Sequence, residues 1–186
     1  QVLSSTNGEI IIGNIDGNFV EGFRLNEVVY QEEGLIIFSA GNIYIDPDLS
    51  RIITGNIALS QLVINNSYYN YDNQKSESQI SPEKSSLIKW RFNITSLLIE
   101  KSLFVYKESI YGLNGDFKFE YNNGTQIDIS VLNIQSPKFS SPLVLSDGII
   151  RWYNDEWIIS NLTAESDWLS GKIDGTLNLK EFNKTS

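Results

Sequence analysis

The sequence predicts an all-β protein, an elongated, curled antiparallel sheet with one short helix. Three observations carry that expectation. Apolar residues alternate with polar ones almost throughout, which is the period of a half-buried strand. Turn signals recur about once per run, as a meander requires. Helical stripes of apolar residues three and four apart are scarce.

The opening segment, Gly8 to Val28, reads as two narrow strands joined by a tight turn. Gly13, Gly17 and Gly22 punctuate it, and glycine inside a strand marks a turn, a bulge or a close approach of backbone. A strand from Leu35 to Ile45 follows, then a short helix near residues 47–54 suggested by Pro47 and the spacing of Leu49, Ile52 and Ile53, then a strand from Asn56 to Ile64. From Asp72 to Ser86 the chain turns to Asn, Gln, Lys, Ser and Glu, and residues 72–86 are expected to form a flexible loop within one curved sheet. Beyond it, Tyr111, Leu113, Gly115, Phe117, Phe119 and Tyr121 fall on one face of a strand. Trp90, Phe92 and Ile94 do the same, as do Ile127, Ile129 and Val131, and Gly171 to Leu179. Asp16-Gly17-Asn18, Asn122-Asn123-Gly124, Ser146-Asp147-Gly148 and Tyr153-Asn154-Asp155 are the expected turns.

In three places the alternation slips by one residue: Leu59 to Ile64, Ile94 to Ile99, and Val131 to Ile134. A slip throws the following side chains to the opposite face unless a β-bulge absorbs it. Recurrent bulges bend and twist a sheet, so the expected shape is a trough.

Composition removes whole classes of function. The 186 residues include no Cys, no His and no Met. Disulfide scaffolds, thiolate metal sites and His-dependent triads are therefore out, and neither a metal nor a cofactor is expected. The net charge of -9, with scattered Lys and Arg, disfavours nucleic acid and anionic lipid surfaces, which both select basic patches. Glu32-Glu33, Asp46-Pro47-Asp48 and Asp155-Glu156 are better read as solvated turn charge than as catalytic or Ca²⁺-binding pairs, because adjacent strand residues point to opposite faces. Five Asn-x-Ser/Thr sites reflect a composition rich in these residues. The Tyr68, Tyr69, Tyr71 cluster and the Trp152, Trp157, Trp168 set give only a weak case for a sugar-stacking platform. No catalysis is expected.

The opening hairpin, with Gly13, Gly17, Phe19, Gly22, Phe23, Leu25 and Val28, followed by Asp46-Pro47-Asp48-Leu49 through Gly55, resembles the start of the periplasmic region of AsmA/TamB-like proteins. The resemblance covers about the first third of the chain and is one of style beyond it. It implies a β-taco or groove-like fold within a longer, periplasmic protein anchored in the inner membrane by an N-terminal helix outside this chain. It implies a function in phospholipid transport between inner and outer membranes and in outer-membrane assembly. The partners implied are phospholipid acyl chains, an outer-membrane assembly protein and adjacent β segments of the parent chain. On that reading residues 1–186 form a single β-rich unit, a fragment of the parent. The groove would be lined by Trp90, Phe92, Ile94, Phe104, Tyr106, Leu113, Phe117, Phe119, Ile127, Ile129 and Val131. The alternative is that these stripes pack a closed β-sandwich, a carbohydrate-binding or adhesive surface domain.

Overall fold

A computed structural model describes residues 2–4, 8–73, 91–122, 124–153 and 156–178. The strands are β1 (Val2–Ser4), β2 (Glu9–Asn18), β3 (Gly22–Glu32), β4 (Leu35–Pro47), β5 (Ile57–Asn70), β6 (Phe92–Tyr106), β7 (Ser109–Tyr121), β8 (Thr125–Gln135), β9 (Leu143–Tyr153), β10 (Glu156–Ser166) and β11 (Leu169–Asn178). They form one eleven-stranded sheet whose spatial order is the order of the chain. The expected meander is therefore the observed topology, and among the described residues the sheet stays open, with β1 and β11 as its outermost strands. Substantial packing joins only strands that are hydrogen-bonded neighbours. No second sheet of the sandwich kind lies on either face among the described residues.

Local chemistry explains the turns. In the β2–β3 hairpin, Gly17 and Gly22 adopt φ of 101° and 87°, the left-handed region that costs glycine nothing. Asn18 Oδ1 accepts the backbone N–H groups of Val20 and Glu21, which fixes the tip. Glu33-Gly34 and Lys107-Glu108 supply consecutive positive φ angles at the β3–β4 and β6–β7 turns, the twist that two-residue hairpins need. The expected short helix is α1 (Leu49–Ile52). Asp48 caps it by accepting the Arg51 N–H, and the Ser50 hydroxyl bond holds the Asp48 carboxyl below its usual range.

Three expectations require correction. The sheet is mixed rather than antiparallel throughout, because β5 and β6 run parallel. A parallel pair needs a connection that returns along the full strand length, and the polar stretch after β5 occupies that position in the chain. Its first residues are ordered: Tyr71–Asn73 form a 3₁₀ turn, and the Asp72 carboxylate accepts the backbone N–H groups of Lys107 and Glu108 at 2.8 and 2.9 Å. Residues 74–86 of the expected loop lie outside the described residues. Ser146-Asp147-Gly148 is no hairpin turn but the middle of β9, where Asp147 takes φ 58° within the strand.

Two of the three predicted parity slips enclose a bulge, and the third, expected within Val131 to Ile134, falls just before that stretch, at Ser130. The register jumps between Ile94 and Leu97 on β6, between Gln61 and Leu59 on β5, and between Ile129 and Val131 on β8. Further breaks, at Lys101 on β6 and Asn161 on β10, use left-handed residues with φ 49° and 56°. Each of these is held by a side chain on the next strand. Asn114 Oδ1 accepts the Lys101 N–H, and Asp174 Oδ1 accepts the Asn161 N–H, both at 2.7 Å.

A candidate apolar groove

Cross-strand partners in a sheet share a face, so the register assembles the surface row by row. One row runs Gly17, Phe23, Ile45, Leu62, Leu97, Phe117, Ile129, Gly148. Leu162 of β10, which crowds against Gly148, and Ile173 of β11 continue it. The neighbouring row runs Ile15, Leu25, Ile43, Ile64, Ile99, Gly115, Leu132, Leu145, Ala164, Gly171. Neither contains a polar side chain from β2 to β11. At about 4.8 Å per strand, each crosses roughly 45 Å of sheet.

Rows above and below extend the surface. Pro47, Leu59, Ile94, Phe119, Ile127, Ile150 and Ile159 lie toward one end of the strands. Ile12, Val28, Ala40, Ser67, Ser102, Leu113, Ile134 and Leu143 lie toward the other. The two serines satisfy each other: Ser67 Oγ donates to Ser102 Oγ at 2.6 Å, and Ser102 donates on to the Glu100 carbonyl. Without that chain, two buried hydroxyls in an apolar surface would each carry a desolvation penalty.

The bulges make this continuity possible. Each inserts an extra residue where strict alternation would have turned a strand's apolar side chains outward, so Ile94 and Leu97, Ile99 and Ser102, and Ile159 and Leu162 stay on one side. The opposite face carries the polar set. Asn26 donates to Asp16, and Arg151 donates to Gln126, which donates to Asp128.

Aromatic rings close both ends of the apolar face. Tyr69 and Phe104 stack at 5.7 Å, and Phe104 leans on Tyr106 and Tyr111. Burial of Tyr69, followed by the nearby Tyr71 hydroxyl, raises the Tyr69 pKa. At the far end Trp152 stacks on Trp157, and Phe92 meets Phe119 edge to face. Trp168 is separate from that tryptophan pair and packs on Phe139.

Burial shows the curl. Ile94, Phe117, Ile129 and Leu162 are 4–8% exposed although no second layer covers them among the described residues. A single sheet can shield its own side chains only by curling round them, so the apolar face is the concave one. No large side chain is fully buried among the described residues, and most of the face is half-buried.

The predicted lining divides accordingly. Ile94, Phe117 and Ile129 form the floor; Phe92, Phe104, Leu113, Phe119 and Ile127 are half-buried on the same face, and Tyr106 is exposed at its end. Val131 is a correction. It pairs with Asp116 and faces the polar side, because the bulge at Ser130 falls before it, and Leu132 takes its place in the apolar row. Trp90 lies outside the described residues. Of the predicted structural glycines, Gly17 and Gly22 shape the first hairpin, while Gly13 sits in mid-strand against the side chain of Glu27, itself at φ 53°. Sequence reasoning missed the contribution of β3, β4 and β5, whose Leu25, Ile43 and Ile64 extend the face across the first half of the chain. Their alternation was visible, but only the register aligns them with the later strands.

Other surfaces offer little. Three shallow concavities of 160–260 Å³ are lined largely by polar residues such as Arg51, Asn93, Glu120 and Gln126, smaller than the roughly 300 Å³ at which small-molecule sites begin. Among the described residues no three acidic groups converge as a metal site would need, and no helix is long and apolar enough to cross a membrane. Searches against family models, curated proteins and solved structures find no match.

Proposed function

We propose that this chain is a non-catalytic lipid-binding groove segment of an AsmA/TamB-like envelope protein, in which the acyl chains of phospholipid lie on the concave apolar face. One observation carries the reading: the apolar rows run unbroken from β2 to β11, and among the described residues no second layer packs on them. Monomeric proteins rarely expose contiguous apolar patches beyond several hundred Å² without a use for them. Acyl chains are a fitting occupant on energetic grounds. Each methylene exposed to water costs about 0.8 kcal/mol, so moving a two-chain phospholipid through water faces a barrier on the order of 20 kcal/mol. A continuous apolar track removes most of that barrier and needs few polar contacts.

On this reading headgroups stay at the open rim, movement is passive along the track, and adjacent β segments of the parent chain lengthen it between the two membranes. The periplasmic setting, the membrane anchor and an outer-membrane assembly partner follow from the same proposal. The test is mass spectrometry of organic extracts from protein purified after expression with membranes present. Co-purifying phospholipid in stoichiometric amount is expected, and a lipid-free protein that also fails to take up phospholipid from vesicles would end the proposal.

A further inference from the structure

The aromatic row at one end of the groove has a gap. Phe92, Tyr121, Thr125, Trp152 and Trp157 follow one another as cross-strand partners from β6 to β10 and share the concave face. All are aromatic except Thr125, which is small and carries a hydroxyl. The path of the chain leaves the same point open. At this end β7 joins β8 through residues 122–124 and β9 joins β10 through residues 154–155, whereas β8 joins β9 at the opposite end through residues 136–142. No connection therefore crosses the rim between Thr125 and Trp152.

Directly behind the gap, on the other face of the sheet, lies a concavity of about 210 Å³. Glu120, Gln126 and Arg151 line it as partners on β7, β8 and β9, each one residue along from the aromatic row and so turned to the opposite face. Gly124 keeps it hollow, since a Cβ there would come 3.1 Å from both the Trp152 carbonyl oxygen and the Tyr153 ring. Gln126 is fixed in the middle: its Oε1 accepts the Arg151 Nε–H at 2.9 Å, and its Nε2 donates to Asp128 at 2.7 Å. Arg151 and Glu120, on its two sides, form no ion pair among the described residues. Two strand spacings, about 10 Å, hold their backbones apart.

Opposite charges that flank a hollow without meeting fit a ligand that carries both signs. Arg151 engages Gln126 through Nε, and its two terminal amino groups can take the paired oxygens of a phosphate. The Glu120 carboxylate suits an ammonium, as does the ring of Tyr153, which lines the same hollow and is 55% exposed. A purely anionic group would instead meet Glu120 in a chain already at -9.

We propose that this notch binds the zwitterionic headgroup of a phospholipid, a phosphate and an ammonium together, with the lipid crossing the rim at Thr125. The inference rests on the groove reading for the acyl chains and adds a headgroup preference to it. The concavity is small for a complete organic ligand, and here it receives the headgroup alone.

The test exchanges purified protein with vesicles of equal phosphatidylethanolamine and phosphatidylglycerol, matched in acyl chains, and identifies bound lipid by mass spectrometry. Bound lipid should be enriched several-fold in phosphatidylethanolamine. Arg151→Gln and Thr125→Trp should each remove the enrichment while total bound lipid and the circular dichroism spectrum are retained. Glu120→Lys should turn the preference toward phosphatidylglycerol, whereas Glu165→Lys, the same charge change near the opposite end of the strands, should leave it unaltered. Soluble glycerophosphoethanolamine should shift the NMR signals of the Gln126 side-chain amide. Lipid bound at the vesicle ratio would overturn the notch and leave the groove standing, and so would an amide that does not respond to the soluble headgroup. Protein that takes up no lipid but shows the amide shift would end the groove reading and support the notch.

Discussion

Ser67 and Ser102 share a buried hydrogen bond across β5 and β6, the one parallel pair among the described strands. The bond is directional, with Ser67 as donor and Ser102 passing its own proton to the Glu100 carbonyl. The two single substitutions should therefore differ. Ser102→Ala strands the Ser67 O–H in an apolar surface and should cost about 1–3 kcal/mol, the penalty for a buried unsatisfied donor. Ser67→Ala leaves the Ser102 proton bonded and should cost less. The double Ala variant, with neither hydroxyl to satisfy, should recover most of the loss. Urea midpoints for the three variants check this, and strictly additive losses would count against the coupling.

Gly148 sits where β9 presses on the β10 bulge. A Cβ there would lie 2.8 Å from Leu162 Cα and 2.3 Å from its Cδ1, and backbone cannot step aside as a side-chain tip can. Gly148→Ala should therefore destabilise by about 1–3 kcal/mol through overpacking. Gly171→Ala, which meets open space, should shift the midpoint little. Thermal or urea unfolding of the pair separates a packing requirement from a general intolerance of side chains at strand glycines.

Asp72 ties the end of β5 to the β6–β7 turn. The backbone N–H of Glu108 and then that of Lys107 hold its carboxyl below the ordinary value of 3.8. A carboxylate depressed in the folded state contributes stability above its unfolded pKa and loses it as pH falls through the folded one. The contribution should thus be complete near neutrality and fade below about pH 4. Comparing urea midpoints of the wild type and Asp72→Asn from pH 7 downward isolates it. The gap between the two proteins should narrow on acidification, and a constant gap would show that the carboxylate charge is not what holds the turn.

Legibility in the sequence followed the apolar residues. The bulges after Leu59 and Ile94 were visible because apolar side chains stand on both sides of each slip. Lys101 was not, because Ser102, the residue that returns to the apolar face, is polar and hid the change of parity. Asp147-Gly148 carries the dipeptide of a hairpin turn, yet in β9 Asp147 takes its left-handed φ inside the strand, with the register kept against β8 and β10. Val131 shows the limit of a pattern. The slip was expected within Val131 to Ile134, but the extra residue is Ser130, one step earlier, so Val131 pairs with Asp116 and Leu132 is the residue that stays on the concave side. The parallel β5–β6 pair had no local signature, since it is set by the path of the intervening chain.

Phe117 looks in the sequence like a residue a lipid would touch, but at 8% exposure it belongs to the floor, packed with Ile129 and Leu162. Phe117→Ala should accordingly cost about 3–5 kcal/mol by opening a cavity, and any loss of lipid binding in that variant would be uninformative. Ile15 gives a cleaner probe. It lies in one of the unbroken rows, on β2, and is 44% exposed, so Ile15→Glu should keep the fold with a loss of about 1 kcal/mol or less. A carboxylate in the track must be desolvated whenever an acyl chain lies over it, a cost of several kcal/mol that the chain cannot repay. Phospholipid recovered with Ile15→Glu should fall several-fold, whereas Lys118→Glu on the opposite face lowers the net charge by two units rather than one and should still leave recovery unchanged. Equal loss in both variants would mean that net charge, rather than the concave face, governs binding.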